Sequence, residues 1–165
     1  MSADWRDRLP AQLLTLRVIV AAMVSGCVVF AAIALVVAGG QLAEPGLFTY
    51  AALAMGLSAV VARLVVLPAV DAAAVQRIAA SGAQADDGIA LLAQLQTRTI
   101  IGAALLEGPV FLLLVAFLAE RSALALVAAG VVLLWLASQF PMHAGAANWI
   151  ENQLLRVADE RSLRR

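Results

Sequence analysis

Glu107 stands alone in an otherwise uncharged apolar run between Arg98 and Glu120. If lipid surrounds that run, the carboxylate costs at least a few kcal/mol unless a proton or a partner neutralises it. Depth narrows the choice of partner. At 1.5 Å of helix rise per residue, Glu107 lies about 13 Å beyond Arg98, and Ser58 lies about as far before Leu67, whereas Arg63 is only about 6 Å deep. Ser58 and Glu107 therefore make a candidate ion- or proton-binding pair, and Arg63 with Glu107 a candidate ion pair across two helices. A third reading needs no transport. Ser25, Ser58 and the glycines Gly26, Gly56, Gly102, Gly108 and Gly130 would let helices pack closely and hydrogen-bond a neutral Glu107. Pro109 next to this site removes the helical donor for the Leu105 carbonyl, which predicts a kink.

Other chemistries lack their residues. Cys27 is the only cysteine and His143 the only histidine, too few for an internal disulfide or a Cys/His metal site. A serine hydrolase would need His143 as its base, and no Gly-x-Ser-x-Gly elbow occurs. Asp86 and Asp87 form the only acidic pair in the 68–98 loop, a pattern that usually caps a helix start. The reading is of a non-enzymatic protein with no catalytic residues, no metal and no cofactor. A formal net charge of +0 gives no basic face for nucleic acid.

The elements that must position these residues follow from composition. Of 165 residues, 64% are hydrophobic and 13% charged, against roughly 45–50% and about 25% in a typical soluble domain. The surplus apolar surface needs lipid to cover it. We expect an all-α polytopic membrane protein, a bundle of four transmembrane helices followed by an amphipathic interfacial helix. The predicted spans are 18–38, 47–67, 99–119 and 122–140, each near the length that crosses a hydrocarbon core of about 30 Å. The first is longer than a signal-peptide core. Pro68 is expected to stop the second span. A loop over 68–98 would follow, with short helices at 71–80 and 86–97 broken at Ser81 and Gly82.

Orientation follows from arginine placement, because basic residues stay on the cytoplasmic side. Arg6, Arg8, Arg17, Arg77, Arg98, Arg156, Arg161, Arg164 and Arg165 fall on one side, with Arg63 near it, and only Arg121 on the other. Both termini, 1–17 and 141–165, and the 68–98 loop are thereby cytoplasmic. Past Pro141, the residues Trp149, Ile150, Gln153, Leu154 and Val157 recur at helical spacing, so this helix can lie on the inner membrane face or pack against the 68–98 loop. Trp149, and Trp5 before the first span, fit the role of interface anchors.

The third span, TIIGAALLEGPVFLLLVAFLA, resembles the carboxylate-bearing helix of the subunit c proteolipid of rotary ATP synthases. The second span adds Ala52-x-Ala54-x-Gly56-x-Ser58 and Ala62-Arg63, which resemble that family's alternating-glycine helix and the Ala-Arg that ends it. The resemblance implies that Glu107 binds an ion and that Ala52, Ala54, Gly56 and Ser58 form a close-packing stripe. A loop of about thirty residues in place of the family's short one, and a further helix on each side, argue against a rotor ring. The chain as a whole looks like the small four-span proteins of high-GC bacterial inner membranes. That implies partners in the bilayer itself, in a homo-oligomer or in a larger membrane complex.

Overall fold

A computed structural model describes residues 5–81 and 87–163; Gly82, Asp86, Arg164 and Arg165, which figure in the sequence reading, lie outside them. Five helices follow one another: α1 (Trp5–Ala38), α2 (Leu47–Ser81), α3 (Asp87–Glu120), α4 (Ala123–Ser138) and α5 (His143–Leu163). Among the described residues there is no strand, and the one β-bridge joins Ala43 to Ser122. Three helices, α1, α2 and α3, are long and apolar enough to cross a membrane, and α4 with α5, bent by 71° at a short break, makes up to a fourth by length and composition.

One expectation is corrected here. Pro68 does not stop the second helix: α2 runs through it to Ser81 and α3 starts at Asp87, so the helices expected at 71–80 and 86–97 are continuous with α2 and α3 rather than separate. A proline costs its own N–H bond and crowds the preceding turn. Here the alanine-rich stretch from Ala69 to Ala80 has strong helix propensity and carries the helix onward.

The chain divides into two compact units. The first draws its described residues from Met1–Val18, Val65–Ile101 and Pro141–Arg165, the second from Ile19–Leu64 and Gly102–Phe140. In the first unit, segments of α1, α2 and α3 and the whole of α5 each contribute a stripe at three- and four-residue spacing. Leu9, Leu13 and Leu16 meet Val75, Ile78 and Ala79, with Leu91, Leu92 and Leu95, and Ala146, Ile150 and Val157. Outside this core the exposed residues are mixed: Arg8, Gln76, Arg77, Asn152, Arg156 and Asp159 are polar, and Leu14, Val18, Val65, Met142, Leu155 and Leu163 are apolar.

That core decides between the two readings of α5. Its apolar face packs on α1, α2 and α3, with Ile150 and Val157 fully buried, which removes that face from water.

The second unit is built differently. Its core is made of small and branched residues, including Val20, Cys27, Ala34, Ala103, Leu106, Val110, Leu113, Phe117, Ala125, Ala129 and Leu136. Phe30 and Phe111 pack with ring centroids 5.4 Å apart. Half of the most apolar stretch of α3 is buried, against 17% for α1 and 11% for α2, so α3 is the hub. The exterior is apolar: Val29, Ile33, Val36, Leu57, Val61, Leu64, Val127, Val131 and Leu134 are all exposed.

Candidate functional site

Glu107 lies half-buried on α3 in the second unit, one turn before the buried Val110. Among the described residues no hydrogen bond or ion pair reaches its carboxyl. Its two sequence-derived partners are engaged elsewhere. The Ser58 hydroxyl is exposed and donates its one proton to Met55 O of its own helix, 2.7 Å away. Helical periodicity explains this. Ala52 and Gly56, four residues apart, share the buried face of α2, while Ala54 and Ser58 point to the opposite, exposed side. Cys27 of α1 is buried and lies within electrostatic reach of Glu107.

Arg63 is buried among three helices of the second unit. One guanidinium nitrogen donates to Gly102 O on α3, and another donates to Gln139 Oε1 at the end of α4. The guanidinium carbon lies 5.5 Å from the centre of the Trp135 ring. A planar cation suits this position because it can donate two ways and stack at once.

Of the five packing glycines, Gly56 and Gly102 are buried. A Cβ at Gly56 would meet Pro109 Cβ at an ordinary contact distance of 3.7 Å, and the Gly102 carbonyl accepts from Arg63. Gly26, Gly108 and Gly130 face open space within the chain. The two tryptophans join the first unit's core: Trp5 packs where a side chain at Gly88 would otherwise sit, and Trp149 lies 5.4 Å from the guanidinium carbon of Arg98.

Sequence reasoning missed three polar clusters. In the first unit, Arg161 of α5 grips Asp87 with two nitrogens, the longer contact 2.9 Å, and also donates to Ile78 O and Ala79 O. The end of α2 and the start of α3 are thus tied to α5, and the hydrogen bond to Asp87 raises the Arg161 pKa further. Also in this unit, Arg98 pairs with Asp71 at 3.2 Å. Burial raises the Asp71 carboxyl above its ordinary value, against the lowering effects of Arg98, Gln94 and Arg156.

The third cluster closes the second unit. Glu120, at the end of α3, accepts the backbone N–H groups of Gly46, Phe48 and Thr49 at 2.8–3.0 Å, capping α2 from another helix. Beside it, Ala43 N donates to Arg121 O, and Arg121, at φ 53°, reaches Gln41. A Cβ at Gly46 would collide with the Glu120 carboxylate in this position. The signal for this cluster was present: a turn acid at Glu120 and the glycine at Gly46, just before a helix with no acidic residue in its first turn.

No family model, curated protein or solved structure matches the chain.

Proposed function

We propose that this protein is a non-enzymatic, four-span integral protein of the bacterial inner membrane that works by association, with itself or with a larger membrane complex. The second unit is its membrane bundle and the first its cytoplasmic contact surface. One observation carries the reading: a single core gathers segments from the N-terminus, from 65–101 and from the C-terminus. Segments that share a core lie on one side of a membrane. The chain between Ile101 and Pro141 therefore returns to that side, and α3 with α4 makes the outward and inward crossings. At 16 residues, α4 is about 24 Å long, short for the hydrocarbon core but within what local thinning accommodates. Arginine placement puts the shared side in the cytoplasm.

Blue-native electrophoresis of mild-detergent extracts tests the association. The expected result is a band well above the monomer mass of 17.1 kDa after allowance for detergent. A strictly monomeric species in every mild detergent rejects it.

A second reading, an ion- or proton-coupled subunit, is favoured by Glu107, whose carboxyl sits within an apolar helix without a hydrogen-bonding or charged partner among the described residues. The likeness of α3 to the proteolipid helix points the same way. Carbodiimide labels a neutral carboxyl in lipid, so labelling of wild type but not Glu107→Gln between pH 6 and 8 is expected. Absence of labelling, or a Glu107→Gln strain with unchanged growth and proton leak, removes this reading.

A further inference from the structure

In the first unit, Arg6 is held by Glu151, Arg98 by Asp71 and Arg161 by Asp87. Arg17 is held differently. Its Nε donates to Pro141 O at 3.1 Å, and among the described residues no acidic side chain meets the guanidinium. One bond to a neutral carbonyl fixes the group in place, and its two terminal nitrogens keep their forked donors for another acceptor.

The contact also stands at a boundary in the chain. Arg17 directly precedes the charge-free run that opens at Val18, and Pro141 directly follows the apolar run that closes at Phe140. Where helices cross a bilayer, the ends of their apolar runs lie at the headgroups, and arginine is retained on that side. Arg8, by contrast, stands about 13 Å farther from this boundary along α1.

The surface next to Arg17 is apolar. Leu14 and Val18, one turn apart on α1, are 64% and 62% exposed, and Met142, which follows Pro141, is 72% exposed. Left in water, these side chains forgo the burial that stabilises the rest of the unit. A fixed guanidinium without a carboxylate, flanked by exposed apolar side chains, is complementary to an anion that carries apolar chains of its own. Free phosphate meets only part of that description, because it leaves Leu14, Val18 and Met142 bare.

We propose that Arg17, Leu14, Val18 and Met142 form a seat for an anionic phospholipid. The two terminal guanidinium nitrogens donate to the phosphodiester, and the acyl chains cover the apolar residues. A planar fork matches two phosphate oxygens at once, which suits arginine to this position. The lipid supplies the counter-charge that Asp71 gives Arg98 and Asp87 gives Arg161, and it ties α1 and the Pro141 junction to one leaflet. The seat rests on the four-span reading, which brings both apolar runs to the same leaflet.

The test uses the full chain in non-ionic detergent micelles, with bound lipid counted by native mass spectrometry. The probes are dioleoylphosphatidylglycerol, dioleoylphosphatidylcholine and inorganic phosphate. Wild type is expected to hold its first phosphatidylglycerol about fivefold more tightly than phosphatidylcholine, the discrimination that one basic residue gives at an anionic surface. Arg17→Gln should abolish that preference, and Arg8→Gln should keep it. Met142→Asn should weaken phosphatidylglycerol binding, and excess inorganic phosphate should not displace the lipid. Equal binding of the two lipids by wild type overturns the proposal, as does a preference that survives in Arg17→Gln. Displacement by inorganic phosphate makes this a free-anion site and overturns it too. The comparison of lipids needs only wild type, so it decides even if a variant does not fold. Thiol accessibility from the two sides of the membrane reads the crossings separately, so four crossings without a phosphatidylglycerol preference count against the seat alone.

Discussion

Arg63 holds one position in three helices, and what it does depends on the shape of its charge rather than on its sign. Gly102 O, Gln139 and the Trp135 face are served together by a flat guanidinium, and an ammonium serves only one of them well. Arg63→Lys is therefore expected to lose about 1.5–3 kcal/mol of stability, the range for a buried hydrogen bond to a charged group, with charge unchanged. A thermal melt equal to wild type would show that charge alone is needed. Glu120 offers a second test through pH. Burial works against its ionised form, but the Thr49, Phe48 and Gly46 hydrogen bonds outweigh it and hold the carboxyl below its ordinary 4.5. A depressed carboxylate contributes fully above its unfolded pKa and is lost as pH falls through the folded one. Amide protection factors at Phe48 and Thr49, corrected for the intrinsic slowing of exchange in acid, should therefore fall on acidification below about pH 4.5. In Glu120→Gln they should be low already at neutral pH. Protection that persists in the variant would mean that the cap does not depend on the charge.

Among the elements, α5 separates two ways of burying the same amphipathic face. Packed on the leucines of α1, α2 and α3, it loses most when an inward residue is truncated. Ile150→Ala is expected to cost about 2–5 kcal/mol, and Leu155→Ala, at an exposed position, no more than about 0.5 kcal/mol. A helix lying on lipid would give the reverse ranking of membrane affinity. The sequence carried much of this architecture in plain view: the apolar runs of α1, α2 and α3, the small-residue content of the second unit and the helical spacing of Trp149, Ile150, Gln153 and Val157. Hidden were the features decided by tertiary contact. Pro68 reads as a helix stop because local rules count one lost bond and not the alanine run beyond it. Ser58 and Glu107 match in depth, but depth says nothing about rotation about a helix axis, and the periodicity that buries Ala52 and Gly56 turns Ser58 outward. The Glu120 cap and the Arg161 grip join residues more than seventy positions apart, beyond what spacing along the chain can show.

For the whole molecule, the shared core of the first unit turns a question of topology into one of accessibility. If its three segments lie together in the cytoplasm, then Gln76 and Asn152, both exposed on that unit, are on the same side, and Gln41 in the 39–46 connection is on the other. Cys27 is the only native thiol, so a Cys27→Ala background permits single cysteines at Gln41, Gln76 and Asn152. Gln41→Cys should react with a membrane-impermeant maleimide in intact cells, and Gln76→Cys and Asn152→Cys only after permeabilisation. Each alternative leaves its own pattern. If α4 did not cross, Asn152→Cys would label from outside while Gln76→Cys stayed protected, and the common core of α5 with α2 would be impossible in the membrane. If the arginine bias misassigned the orientation, all three would invert. The predicted pattern requires four crossings and an inside N-terminus together, because the contacts of Arg161 with Asp87 and of Arg6 with Glu151 hold α5, α3 and α1 on one side whichever side that is.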